Sequence, residues 1–265
     1  MNTRTALVTG VGSGIGREIA LDLTRRGWRL ILPVRSTDRA DDLKRFAHAA
    51  EAPGPLVIAC DLADPAQVAD MCDTAADSGP LDLVINSAAV GGGSDPSLRQ
   101  TNTAGVELRM AVNAVAPHLI ARSLAASLAP AGRIVQVGSF GQSPLPLDDL
   151  NFERDYEGVE AYCRSKLALV MSTRELAARG LHINVVHPAH AMPTTMVRQS
   201  RVPVASTLDD GTLAVLRVAL DTALHEVTGM YFDRFTTAAP HPQADEPATC
   251  ERVVKWLENA AAFSR

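Results

Sequence analysis

Aromatic residues are scarce: two Trp, three Tyr and six Phe make up 4% of 265 residues. A platform of stacked rings for single-stranded nucleic acid is therefore excluded. Positive charge is also in deficit. Lys and Arg total 25 against 30 Asp and Glu, a net charge of −5, whereas a nucleic-acid partner needs a basic footprint. Cysteine is limited to Cys60, Cys72, Cys163 and Cys250, with no CxxC pair. A chain this long needs no disulfide scaffold, so reduced thiols and a cytoplasmic setting are expected. The seven His residues form no HExxH and no Cys/His cluster, so no metal site is expected. No apolar run approaches the ~18 residues of a membrane span. Met1-Asn2-Thr3-Arg4 has neither the length nor the flanks of a signal peptide, so no membrane partner is expected.

What is present is globular: 46% hydrophobic and 21% charged residues are too apolar for a disordered chain. Short apolar runs alternate with stretches of helical period. Strands are expected at Thr5–Thr9, Trp28–Val34, Leu56–Cys60, Asp82–Asn86, Arg133–Val137, His182–His187 and Gly229–Phe232. Ile15, Ile19, Ala20 and Leu23 share one face of a first helix, which Gly27 can close. Further helical stretches are expected at about 65–77, 103–128, 158–179, 212–225 and 246–262. This alternation implies right-handed βαβ units and a parallel sheet covered on both faces. No linker divides the chain, so 1–265 is read as one domain.

Between the first strand and the first helix lies Thr9-Gly10-Val11-Gly12-Ser13-Gly14-Ile15-Gly16. Glycine lets a phosphate approach the main chain closely. The helix that follows offers it free N–H groups and a partial positive charge. In this strand–turn–helix setting the cluster reads as a dinucleotide cradle, with the spacing TGxxxGxG rather than GxGxxG.

That spacing resembles the short-chain dehydrogenase/reductase family, and further landmarks recur along the chain. Asp61 in Cys60-Asp61-Leu62 is similar to the acidic residue that contacts the adenine. Asn86-Ser87-Ala88-Ala89 stands where the family has Asn-Asn-Ala-Gly, and Asn113 matches the asparagine within helix four. Ser139 follows the fifth strand, Tyr162-Cys163-Arg164-Ser165-Lys166 is a YxxSK motif, and Pro188-Ala189 replaces Pro-Gly. A narrower resemblance is carried by Leu147–Asn151, Ala161–Ala168, Thr173–Ala177, Gly229-Met230-Tyr231-Phe232 and Pro240-His241-Pro242-Gln243-Ala244. These stretches look like the retinol dehydrogenase-like branch. Members of that branch often carry an N-terminal membrane anchor, which this sequence does not show, so the retinoid substrate is not carried over.

The resemblance implies a single-domain, Rossmann-type doubly wound parallel sheet of about seven strands. It implies catalysis by Asn113, Ser139, Tyr162 and Lys166. It also implies that a nicotinamide cofactor is held by Gly10, Gly12, Ser13, Gly14, Ile15 and Gly16, by Arg35, Asp61, Leu62, Asn86, Ser87 and Ala88, and by Tyr162, Lys166, Pro188 and Thr194. Thr194 or Thr195 is expected to replace a carboxamide-binding threonine, because Pro193 falls near that place. Helices at about 103–128 and 158–179 are expected to pair across a two-fold axis, giving a homodimer or homotetramer.

The chemistry follows from the residue types. Tyr162 and Lys166 are i and i+4 on one expected helix and share a face. A phenol with a pKa of ~10 transfers protons poorly near neutrality, and a neighbouring ammonium is expected to lower it. Tyr162 can then protonate a carbonyl oxygen or deprotonate an alcohol, while the Ser139 hydroxyl holds the substrate oxygen. Asn113 is expected to hold a water between Lys166 and solvent. The interval of 23 residues from Ser139 to Tyr162 is long, and its extra residues, including Asp148–Phe152, are expected to form a flap beside the pocket; 189–212 is expected to form a substrate loop containing His190, Met192 and Met196. Ser139 lies outside any GxSxG elbow, so a hydrolase is not expected.

Strand two ends in Val34-Arg35-Ser36-Thr37, with Asp38 arriving late. An acid at the strand end would bind the ribose hydroxyl and reject a 2′-phosphate. Arg35, with Arg17 assisting, is placed instead to pair with that phosphate, so NADP(H) is preferred over NAD(H). The expected activity is interconversion of a ketone or aldehyde and an alcohol. A redox epimerase and a non-catalytic NADP(H)-sensing protein are the alternatives on the same scaffold.

Overall fold

The strands β1 (Thr5–Val8), β2 (Arg29–Val34), β3 (Leu56–Ala59), β4 (Leu81–Asn86), β5 (Leu128–Val137), β6 (Ile183–His187), β7 (Tyr231–Asp233) and β8 (Thr236–Thr237) form one sheet. Their order is β3-β2-β1-β4-β5-β6-β7-β8, parallel throughout except for the antiparallel β7–β8 pair. The computed structural model describes residues 3–200 and 202–262. Strand order reverses between β1 and β4, which opens a crevice at their carboxyl ends, the usual ligand position in such sheets. The eighth strand is an addition to the expected seven. Two exposed Thr residues are too few to show a period, and the hairpin that forms it turns at Arg234, whose φ is 53°.

Alternation along each strand sends side chains to opposite layers. Ala6, Val8, Leu30, Leu32, Leu83, Ile85 and Val135 pack with helices α1 (Gly14–Arg25) and α2 (Asp41–Ala49) and with α8, the helix Leu208–Leu220. Leu7, Ile31, Val84 and Ile134 face α3 (Pro65–Asp77) and α5 (Ala116–Ser123) on the other side. That second layer continues through α6 (Gly158–Ala178) and α9 (Pro247–Ala262). Each fully buried Leu, Ile or Val contributes ~1.5–3 kcal/mol of transfer free energy, so both faces of the sheet are stabilised by helices.

Local signals explain the elements that matched. Asp64 accepts the first-turn N–H groups of Ala66 and Gln67 and Pro65 follows it, which starts α3 where expected. The helix expected at 212–225 begins earlier, at Leu208, because Thr207 and Asp210 form a reciprocal capping box. Helix α2 was not foreseen: among its nine residues only Leu43 and Ala47 are buried, too few to show a helical period.

The stretch 103–128 differs most. Residues 87–107 remain irregular apart from an isolated Thr101–Glu107 bridge. Helix α4 (Leu108–Met110) then passes through a π-turn at Ala111–Val115 into α5. Asn113 lies inside that π-turn. Strand β5 starts at Leu128, earlier than expected, and its pairing with β4 is irregular between the Leu81–Leu128 and Leu83–Arg133 pairs. The short α7 (Thr195–Ser200) lies in the loop after β6. Helix α9 packs its Val253, Leu257 and Ala260 against Leu167, Ala168 and Met171 of α6, so the chain itself covers part of the face expected to pair with a second copy.

Candidate active site

The loops at the carboxyl ends of β1 to β6 border a cavity of about 800 Å³. At its floor the glycine turn needs glycine for two reasons. Gly10 and Gly14 have φ of 76° and 62°, where a side chain is strained. A Cβ on Gly10 would lie 2.7 Å from the Ala88 nitrogen, and one on Gly16 2.5 Å from the Gly10 oxygen. Thr9 Oγ1 accepts the N–H groups of Ser87 at 3.0 Å and Ala88 at 3.1 Å, tying this turn to the end of β4. Gly12 has the loosest surroundings of the four: a Cβ there would meet only the Arg39 side chain, at 3.8 Å. Ser13 precedes α1 without a side-chain cap, and the first turn holds no acid. The N–H groups of that turn are therefore free for an anion, as a dinucleotide pyrophosphate requires.

Arg35 and Arg39 both border the cavity beyond the turn. Arg35 makes no hydrogen bond or ion pair among the described residues. Arg39 was not singled out in the sequence, because nothing local marks one arginine in the polar run after β2. Arg17 does not assist: its guanidinium is taken by Asp42 at 3.0 Å and lies outside the cavity. The Ser36 hydroxyl bonded to Asp38 holds that carboxyl below its ordinary range. Asp61 and Leu62 line the cavity, with Asp61 Oδ1 accepting the Ala63 N–H at 3.0 Å. Ser87, Ala88, Pro188 and Thr194 also line it. Asn86 does not. It is buried, and neither end of its amide finds a partner among the described residues.

Helix α6 brings Tyr162 and Lys166 to the cavity, and the end of β5 brings Ser139. Lys166 Nζ donates to the Val137 carbonyl at 2.8 Å and lies 5.8 Å from the centre of the Tyr162 ring. Burial pulls the Lys166 ammonium down to about 7. Burial also pushes the Tyr162 phenol up, against a smaller lowering by the Ser139 hydroxyl. This is opposite to the lowering expected from Lys166, because desolvation of the ring dominates. Asn113 stays behind the wall. Its amide accepts the Val90 N–H at 2.8 Å and donates to the Val90 oxygen at 2.9 Å and Ser165 Oγ at 3.0 Å. The Ser165 hydroxyl donates to the Tyr162 carbonyl. Asn113 thus links the loop after β4 to α6, and its π-turn is the local distortion that accommodates it.

Lys166 gives a pH prediction. Its folded value, about 7, lies below the ordinary 10.5, so unfolding takes up a proton between these limits. Stability then rises with pH between about 7 and 10.5, and the cost is fully present below 7. Lys166→Met should flatten this rise between pH 7 and 9 and raise stability at pH 7, by at most about 4 kcal/mol. Chemical unfolding at several pH values measures both; an unchanged pH slope contradicts the assignment.

The outer wall is apolar: Phe140, Val159, Met192, Met196, Val197 and Val202 line it. Phe140 packs edge-on against His187 and His190 at 5.1 and 4.8 Å between ring centres. His190, Met192 and Met196 of the expected substrate loop are all present, while Arg201 lies outside the described residues. The expected flap is corrected. Leu150 and Phe152 are buried in the interior cluster with Leu145, so 145–152 packs inward instead of over the cavity.

A buried ion pair not seen in the sequence holds the inner wall. Arg109 Nη1 lies 3.1 Å from Glu107 Oε1, both side chains enclosed, while Arg109 also donates to the carbonyls of Gly91 and Gly92. Tyr156 donates to Glu107 at 2.9 Å. Arg109→Leu leaves the Glu107 carboxylate enclosed and unpaired, so unfolding free energy should fall by about 3–5 kcal/mol in urea titration. A fall below about 1 kcal/mol would mean the pair is energetically neutral.

A family model described as enoyl-(acyl carrier protein) reductase matches residues 10–210. The chain belongs to the short-chain dehydrogenase/reductase family. It is accordingly an NAD(P)-dependent oxidoreductase. Human retinol dehydrogenase 13 is 30% identical to this family member over 97% of the chain and 83% of its own length. A Streptomyces sp. (strain C5) protein named "Putative daunorubicin C-13 ketoreductase DnrU" is 32% identical over 98% and 92% of the two chains. Among solved structures, a Burkholderia cenocepacia short-chain dehydrogenase in complex with NADP superposes with a TM-score of 0.69 at 25% identity, covering 88% of this chain and 96% of that one. A metagenomic blue fluorescent protein in complex with NADPH has a TM-score of 0.69 at 28% identity, covering 89% and 98%. Retinol dehydrogenases are among the relatives, yet no described helix here is long and apolar enough to cross a membrane.

Proposed function

We propose that the enzyme is an NADP(H)-dependent carbonyl reductase or alcohol dehydrogenase for a bulky apolar substrate. The observation carrying this reading is one continuous cavity. It runs from the uncapped N-terminus of α1, past two arginines, to Ser139, Tyr162 and Lys166. In this reading the first turn of α1 receives the pyrophosphate, with Gly12 leaving it room. Arg35 and Arg39 receive the 2′-phosphate, Asp61 and Leu62 border the adenine, and Pro188 and Thr194 lie by the nicotinamide. The bound cofactor supplies hydride for reduction and accepts it for oxidation.

The side chains supply orientation and the proton. Ser139 Oγ–H donates a hydrogen bond to the substrate oxygen and fixes it near Tyr162. Burial keeps the Tyr162 phenol protonated, the state needed to deliver a proton to that oxygen during reduction. The phenolate left behind is stabilised when Lys166 is protonated, and the Val137 carbonyl holds the lysine in place. Asn113 steadies Val90 and the Tyr162 backbone through Ser165. The apolar rim supports a carbonyl attached to a large hydrophobic body, as do the names of the retinol and ketoreductase relatives. The test is NADPH consumption against a panel of aliphatic, aromatic and polycyclic carbonyl compounds. Turnover favouring large apolar members supports the reading, and turnover confined to small polar ones contradicts it.

A further inference from the structure

Ser139 sits two residues beyond the end of β5. The last ladder bond is Gly138 N–H to the Val186 oxygen at 2.8 Å, so the Ser139 carbonyl needs partners from elsewhere. It has two. Tyr231 Oη donates to it at 3.0 Å from β7, across the intervening β6, and Gln142 Nε2 donates at 3.0 Å. The Ser139 hydroxyl oxygen in turn accepts the Gly141 N–H at 3.0 Å, which fixes the direction of the side chain.

The bonds continue into the C-terminal segment. Gln142 Oε1 accepts the His241 N–H at 2.9 Å. Gln243 clamps Leu145 at both ends, accepting its N–H at 2.7 Å and donating to its oxygen at 3.0 Å. Arg174 of α6 donates to the Ala244 oxygen and to Asp245 Oδ1, both at 2.6 Å. Ala244 N–H donates to the His241 oxygen at 2.9 Å, so a chain of hydrogen bonds runs from Ser139 through Gln142, His241 and Ala244 to Arg174 of α6, the helix that carries Tyr162 and Lys166.

We propose that Tyr231 is a positioning residue for Ser139, and that through it and Gln142 the C-terminal segment sets the spacing between Ser139 and Tyr162. Tyr231 is 6% exposed, and its hydroxyl donates to the Ser139 carbonyl beside the Gln142 side chain. Burial pushes its phenol up to about 12, so it stays a donor at any working pH. The role rests on the reading of Ser139 as the residue that holds the substrate oxygen.

The test is a double-mutant cycle of Tyr231→Phe and Ser139→Ala, run with NADPH and the fastest carbonyl compound of the panel. Tyr231→Phe keeps the ring and removes only the donor. It should lower kcat about tenfold, the rate equivalent of one neutral hydrogen bond, with NADPH binding unchanged. In the Ser139→Ala background it should lower kcat no further, because the effect passes through Ser139. An equal loss in both backgrounds, or no loss in the single variant while Ser139→Ala is impaired, overturns the proposal alone. Wild-type turnover by Ser139→Ala overturns the reading of Ser139 and the positioning role with it.

Discussion

Tyr162→Phe lowers kcat by about a thousandfold, within the ~10²–10⁴ range of a positioned general acid, and leaves NADPH binding within twofold of wild type. The ring stays, so the packing that buries it is preserved; only the proton donor leaves. Burial favours the protonated phenol, which suits carbonyl reduction directly. The reverse reaction needs the phenolate, and it should therefore show the steeper rise with pH. Lys166, pulled down to about 7, loses its charge over the same range and opposes that rise. Single-turnover rates and cofactor titration measure the two halves of the prediction. A variant that loses cofactor binding and turnover together would move Tyr162 from chemistry to cofactor support.

Arg35→Ala weakens NADPH binding about 10–100-fold and leaves NADH binding nearly unchanged. A charge-assisted bond contributes ~1.5–3 kcal/mol, which is about one to two decades in affinity. Arg35 is exposed and otherwise unpaired, so the lower half of that range is expected when Arg39 remains. Arg39 lies over Gly12 and borders the same end of the cavity. Removing both arginines should abolish discrimination between the two cofactors. The selectivity of Arg35 rests on what it lacks: Arg17 is bound by Asp42, and Asp38 is bound by Ser36. Fluorescence titration of each cofactor measures the effect. Equal losses for NADPH and NADH, or tighter NADH binding by wild type, would contradict a 2′-phosphate site.

Local chemistry made much of this site legible. The glycine turn is readable because its torsions and its contact with Ala88 tolerate no side chain. Helix α3 is readable from Asp64 and Pro65, and the sheet from apolar strands buried on both faces. Long-range partners were not readable. Nothing near Tyr231 indicates that its hydroxyl meets Ser139, 92 residues away. Nothing in the sequence marks Glu107 and Arg109 as a buried pair, because what encloses them comes from distant segments such as Tyr156. The 148–152 stretch looks polar enough for a flap, but Leu150 and Phe152 turn inward and Asp149 accepts the N–H groups of Glu153 and Arg154. Tyr162 illustrates a further gap: the spacing to Lys166 indicates attraction, whereas desolvation depends on what encloses the ring.

The central claim is direct hydride transfer to a carbonyl within the cavity that holds Tyr162, and isotope transfer tests it most directly. The enzyme is incubated with a carbonyl substrate of the panel and NADPH carrying deuterium at both C4 positions, and the alcohol is analysed by mass spectrometry. One deuterium on the carbinol carbon for each NADPH oxidised is the predicted result. Binding of NADPH with no deuterium transferred to any carbonyl of the panel, or inversion of an alcohol centre with no net cofactor oxidation, would contradict it.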